Sequence, residues 1–200
     1  HEQNFLVDGW GLPRPRFLFA GRFVAAKGVH ELIAAWSRAA EIRPDIGSLV
    51  LVGDGPERAR VENAVQARSL ESVHLVGAVD YREMPRYYAA CDVLVMPTLE
   101  DNWSLVVPEA MAAGKPVICS KYNGCWPELV HEGENGWVFD PLDPQEASRV
   151  LLRAAESRDA LAGMGQASRR IVSPFTPRRA AGAVFEACEL AVRHRRGAPR

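Results

Sequence analysis

Six short apolar runs, each closed by glycine- or proline-marked loops, most constrain what this chain can become. They are residues 16–20 (RFLFA), 48–52 (SLVLV), 73–76 (VHLV), 93–96 (VLVM), 116–119 (PVIC) and 136–139 (GWVF). Each is too short and too evenly apolar for an amphipathic helix, and reads as a strand buried on both faces. Helical spacing fills the gaps. Leu32, Ile33, Trp36 and Ala40 recur on one face of a helix spanning 29–42. Further helices are predicted at 57–69, 84–90 and 105–113, with a short helical turn at 127–131. After Pro141 the pattern is wholly helical, at 144–156, 158–171 and 177–195. Strands alternating with helices of this length imply right-handed crossovers and a parallel sheet. The expected fold class is α/β: a doubly wound, six-stranded, Rossmann-like parallel sheet with helices on both faces and a helical C-terminus. Ligands of such sheets lie at the carboxyl ends of the strands. The loops 21–28, 53–56, 77–81, 97–104 and 120–126 therefore converge on one rim.

Composition removes several classes of function. Lys and Arg number 24 against 25 Asp and Glu, for a net charge of −1, so there is no concentrated basic surface for nucleic acid. The basic tail 192–200 reads as a solvated helix end, with peripheral contact to an anionic membrane as the alternative. No apolar run approaches the ~20 residues that span a bilayer, and a cytoplasmic protein is expected. Cys91, Cys119, Cys125 and Cys188 form no Cys-x-x-Cys pair and have no histidine at metal-ligand spacing. They read as reduced thiols, and His30, His74 and His131 as isolated surface or core histidines. Residues 1–15, rich in Gly and Pro and without a period, read as a linker remnant from a missing N-terminal domain. Residues 16–200 then form the folded domain.

The rim carries the chemistry. In the loop opened by Gly21, Arg22 and Lys27 stand five positions apart, ahead of Gly28 and a helix. Arg forks onto phosphate and Lys adds a point charge. Together they suit a diphosphate without a metal; the bland alternative is two solvated cations. The stretch 101–112 (DNWSLVVPEAMA) follows the fourth strand and opens a helix. Ser104 reads as its N-cap and Pro108 falls in the first turn. The N–H groups of Trp103, Ser104 and Leu105 would then face an anion. Glu109, among small apolar residues, needs a partner. A ribose diol, backbone, Lys115 or Lys121 could each supply one. No Asp-x-Asp occurs, which argues against a divalent ion holding the diphosphate.

Five segments in order complete the pattern: FAGRFVAAKGVHELIAAW, LVLVGDGPE, VHLVGAVDYREMPRYYAACDVLVMPT, DNWSLVVPEAMAAGKPVICS and ENGWVFDPLDPQEASRVL. They resemble the C-terminal, donor-binding domain of a GT-B glycosyltransferase of family 4 (group 1), over about residues 17–189. The resemblance implies a retaining, metal-independent enzyme that moves a hexosyl unit from a UDP- or GDP-type sugar to an acceptor. The acceptor would be bound by the absent N-terminal domain, so this piece alone would be inactive. By resemblance, Arg22 and Lys27 neutralise the diphosphate, and Val79 and Tyr81 lie nearest the nucleobase. Glu109 holds the ribose hydroxyls, and Asp101 is the first acid of the family's Glu-x7-Glu motif, near the donor sugar. Asn102, Trp103, Ser104 and Leu105 touch sugar and phosphate through backbone.

The departures are Asp101 in place of the commoner Glu, Trp103 for a smaller aromatic, Ser104 for Gly, and Pro108. They bear on the donor sugar more than on the reaction, and resemble a bacterial branch whose motif begins Asp-Asn-Trp. Three other readings stay open. A dinucleotide oxidoreductase suits the fold, but 53–58 (GDGPER) lacks the third glycine and follows the wrong strand. A GT-B epimerase or phosphorylase would keep the fold with another reaction. A scaffold module would have lost catalysis at Asp101 and Ser104.

Overall fold

The structure, a computed structural model, describes residues 11–197, with side chains through residue 193. The first ten residues of the expected linker and the end of the basic tail lie outside the described residues. Six strands form one sheet: β1 (Arg16–Ala20), β2 (Ser48–Val52), β3 (Val73–Gly77), β4 (Val93–Met96), β5 (Val117–Ser120) and β6 (Gly136–Phe139). Every pairing is parallel, in the order β3-β2-β1-β4-β5-β6. The helices are α1 (Val29–Ile42), α2 (Arg58–Ala67), α3 (Met84–Ala90), α4 (Val106–Ala112), α5 (Pro144–Glu156), α6 (Leu161–Val172) and α7 (Pro177–Gly197). The doubly wound α/β fold is as expected. Its strand order reverses between β1 and β4, and this is the crevice where such sheets place ligands.

Strand periodicity sorts the core into two layers. Phe17, Phe19, Leu49 and Leu51 face α1, α2 and α5, while Leu18, Ala20, Val50, Val52, Leu94 and Met96 face α3 and α4. Trp36 anchors the first layer. Its ring meets Phe17 edge-on at 5.1 Å and its indole N–H reaches Ser72 Oγ at 3.0 Å. The exposed face of α7 is a different matter: every one of its described side chains is exposed, including Val184, Phe185 and Leu190.

Several expected boundaries move. β5 starts at Val117, since Pro116 has no N–H to give the ladder, although its carbonyl accepts from Leu94 N at 3.0 Å. The helix predicted at 158–171 is a 3-10 turn, Arg158–Ala160, and then α6. Residues 127–131 form turns without a helix. Helix α5 starts as its sequence suggests. Asp143 accepts from Gln145 N (2.9 Å) and Glu146 N (3.1 Å), with Pro144 in the first turn. Asp143→Ala is expected to lower unfolding free energy by about 1 kcal/mol, read as a shift in urea midpoint. An unmoved midpoint would mean that these cap bonds are absent in solution.

Candidate functional site

Four loops meet at the carboxyl ends of the strands, around the β1/β4 reversal. The loop after β1 is fixed first. Gly21 N donates to Val52 O (3.0 Å) and Phe23 N to Asp54 O (2.9 Å), seating it on the end of β2. A 3-10 turn, Ala25–Lys27, follows, and Gly28 then starts α1 with φ +65°. A Cβ on Gly28 would stand 1.9 Å from the Pro97 carbonyl oxygen. Ala26 O accepts from Leu99 N (2.9 Å) and Glu100 N (3.2 Å). The first loop is thus clamped onto the segment leaving β4.

Lys27 Nζ forms an ion pair with Asp101 Oδ2 across the reversal, with the two side chains only 25% and 13% exposed. The other Asp101 oxygen accepts the Trp103 N–H at 3.2 Å. Arg22 is exposed, and its guanidinium has no partner among the described residues. One cation is therefore held to the central loop and a second is available beside it. The bland reading of two solvated cations does not hold for Lys27.

The loop after β5 locks the same segment from the other side. Asp101 bridges to Asn123, Gly124 N donates to Asp101 O (2.8 Å), and a Cβ on Gly124 would stand 1.8 Å from Asn102 O. The start of α4 differs from the expectation. The N-cap position is Leu105, without a side-chain cap bond, and not Ser104 as the sequence suggests. Ser104 is buried, with its carbonyl taking Val107 N and the Cys125 thiol. The expectation of three N–H groups facing an anion is also corrected: that of Trp103 is committed to Asp101, while those of Ser104 and Leu105 have no partner among the described residues. Asn102 and Leu105 are exposed, and the Trp103 ring lies 6.1 Å from that of Phe175.

Glu109 sits in the first turn of α4 and accepts two phenols: Tyr81 Oη to Oε1 at 2.9 Å and Tyr88 Oη to Oε2 at 2.7 Å. Neither lysine offered by the sequence pairs with it. Lys115 donates to the Ala89 and Cys91 carbonyls, and Lys121 pairs with Asp140. Burial and then the bond to Glu109 push the Tyr88 phenol far above its ordinary range; Tyr81 is raised by its bond to the same carboxylate. Both therefore stay protonated donors at neutral pH. Val79, in the loop after β3, is half-buried against the second core layer.

Three rim residues escaped sequence reasoning. Tyr88 reads as one more core aromatic on α3. Asn123 Nδ2 and Thr98 Oγ1 are buried without a partner among the described residues, and both flank the central loop. In the sequence Asn123 is only one residue of the rim loop 120–126. Elsewhere, burial pushes the Cys91 thiol up to about 12 and that of Cys125 up to about 11, so neither is a ready nucleophile. Among the described residues, no three His, Cys, Asp or Glu side chains are grouped to hold a metal ion. No described helix is long and apolar enough to cross a membrane. A cavity of about 470 Å³ lies at the opposite, amino-end side, lined by Arg14, Asp92, Lys115 and Arg169 among others. Its lysine and Arg169 bond the carbonyls that end α3 and α4, as cations at helix C-termini do.

Comparison with known proteins agrees with this geometry. The family described as "Glycosyl transferases group 1" matches residues 3–171. The D-inositol 3-phosphate glycosyltransferase of Streptomyces scabiei is 30% identical over 93% of this chain and 44% of its own length. Sucrose-phosphate synthase from Thermosynechococcus elongatus superposes with a TM-score of 0.76, at 30% identity, over 88% of this chain and 46% of that one. Anabaena HepE, solved in complex with UDP, gives 0.72 at 27% identity, over 81% and 44%. The chain thus spans less than half the length of these relatives. With the family matched over residues 3–171 and a fold shared with HepE, solved with UDP, the chain belongs to the group 1 glycosyltransferases.

Proposed function

We propose that this domain binds the nucleotide-sugar donor of a retaining, metal-independent hexosyltransferase. The observation that carries the reading is the Lys27–Asp101 pair across the β1/β4 reversal, with Arg22, on the same loop as Lys27, unpartnered among the described residues. A donor diphosphate entering this crevice would draw Lys27 from Asp101 and meet Arg22 on the other side. Asp101, released, would accept hydroxyls of the donor sugar. The free N–H groups of Ser104 and Leu105 would add to the phosphate contacts. Val79 and the Tyr81 ring border the nucleobase, and Glu109 takes the ribose hydroxyls. HepE, similar in fold, binds UDP, which supports a nucleoside diphosphate as the ligand class.

The chemistry follows from charge. The bond between the anomeric carbon and the diphosphate oxygen breaks, and its electron pair leaves with the diphosphate. Arg22 and Lys27, once drawn onto the diphosphate, meet that growing charge, which lowers the barrier. An acceptor hydroxyl, bound by a second domain, then bonds to the anomeric carbon and passes its proton to the departing diphosphate. In this reading the 200-residue chain binds a nucleoside diphosphate but transfers no sugar.

Calorimetry with UDP, GDP and their sugars tests the reading. Arg22→Ala is expected to weaken binding of the preferred diphosphate by about 1.5–3 kcal/mol, the scale of bonds to charged groups. Unchanged affinity would remove Arg22 from the site.

A further inference from the structure

Glu109 has no cation within ion-pair reach among the described residues, although it is partly buried on an apolar helix. Two phenol donors compensate its charge instead, one on each oxygen. A ribose offers the same chemistry, two adjacent hydroxyl donors. The two phenols differ in their freedom to leave. Tyr88 is 4% exposed, inside α3 and packed in the second core layer. Tyr81 is 72% exposed, in a 3-10 turn, Tyr81–Glu83, of the loop after β3.

We infer that these two tyrosines act on Glu109 with opposite effect: Tyr88 holds the carboxylate in the orientation that receives ribose, and Tyr81 occupies the ribose's place until the donor displaces it. The inference rests on the proposed role of Glu109. Tyr88 is a positioning residue, since its hydroxyl, donated from the packed core, fixes Oε2. Tyr81 is a built-in competitor at Oε1. Exchange of its phenol for a sugar hydroxyl is one hydrogen bond for another, so the site stays satisfied whether empty or filled. The same exchange frees the Tyr81 ring for the base. The pair makes the site selective for ribose over a sugar lacking both hydroxyls, because such a ligand cannot replace what it displaces.

The test uses the 200-residue chain, with calorimetry against UDP, GDP and their 2′,3′-dideoxy analogues. Wild type is expected to favour the ribonucleotide by about tenfold or more, the value of bonds to a carboxylate. Tyr88→Phe should weaken ribonucleotide binding by about 3- to 10-fold and leave the dideoxy analogue unmoved. Tyr81→Phe should tighten ribonucleotide binding by about 2- to 5-fold, and the dideoxy analogue at least as much, since either ligand must clear the Tyr81 phenol from Glu109. A general structural role for Tyr88 would weaken both ligands alike, and that result overturns the positioning part. Ribonucleotide affinity unchanged or reduced in Tyr81→Phe overturns the competitor part, and this exposed residue can be changed without risk to the fold. If wild type binds neither diphosphate, the functional reading fails, and this inference with it. If wild type discriminates ribose but both variants shift the same way, the inference alone fails.

Discussion

Gly28→Ala is expected to lower the unfolding free energy by about 2–5 kcal/mol, far more than a surface glycine would. Two costs add. The left-handed backbone at φ +65° disfavours any Cβ by about 1–2 kcal/mol. The new methyl would also lie 1.9 Å from the Pro97 carbonyl oxygen, and relieving that overlap costs about 1–3 kcal/mol. Backbone is what it strikes, so no side chain can swing aside. Gly133→Ala separates the two costs, since φ is +77° there and nothing lies within 4 Å. Only the conformational cost applies at that position. Urea denaturation of both variants decides the matter. If Gly28→Ala costs no more than Gly133→Ala, the loops after β1 and β4 are not in contact, and the crevice described above is not built as stated.

Replacing both rim cations is expected to have the largest functional effect. Arg22→Ala/Lys27→Ala should weaken nucleoside diphosphate binding by about 3 kcal/mol or more, over a hundredfold. Each cation contributes bonds to charged oxygens. Lys27 has a second role, because its loss also leaves Asp101, 13% exposed, without its ion-pair partner. An unpaired carboxylate beside the phosphates repels them. Asp101→Asn in the Lys27→Ala background should therefore recover part of the lost affinity, although it removes a candidate sugar contact. Two cations sharing one ligand are coupled, so the double variant need not equal the sum of the singles. Binding that survives the double replacement within tenfold would place the diphosphate elsewhere.

The fold was legible because its signals are local. β1, β2, β4 and β6, and α1, α3 and α5, fall where the apolar periods and the Gly and Pro punctuation put them. Their boundaries follow from residues within one turn or strand, such as Asp143 and Pro144 at α5. The site was legible in its parts but not in its wiring. Arg22, Lys27, Asp101 and Glu109 stood out by residue type and spacing. That Lys27 pairs with Asp101, 74 positions away, depends on strand order, which local patterns do not encode. The shift of the N-cap from Ser104 to Leu105 has the same origin. Ser104 is buried beneath the Asn123–Gly124 loop segment, with its carbonyl bonded to the Cys125 thiol, and so does not serve as a solvent-side cap. Tyr88 escaped because an aromatic on a helix looks the same whether its hydroxyl is idle or bonded.

The most direct test of the central claim is a crystal structure of the chain soaked or grown with the diphosphate that calorimetry selects. The account predicts that Lys27 Nζ leaves Asp101 for a phosphoryl oxygen, that Arg22 closes on the same diphosphate, and that the ribose hydroxyls lie on Glu109. A nucleotide bound away from the β1/β4 reversal, or bound there while Lys27 stays on Asp101 and Arg22 points to solvent, would contradict it.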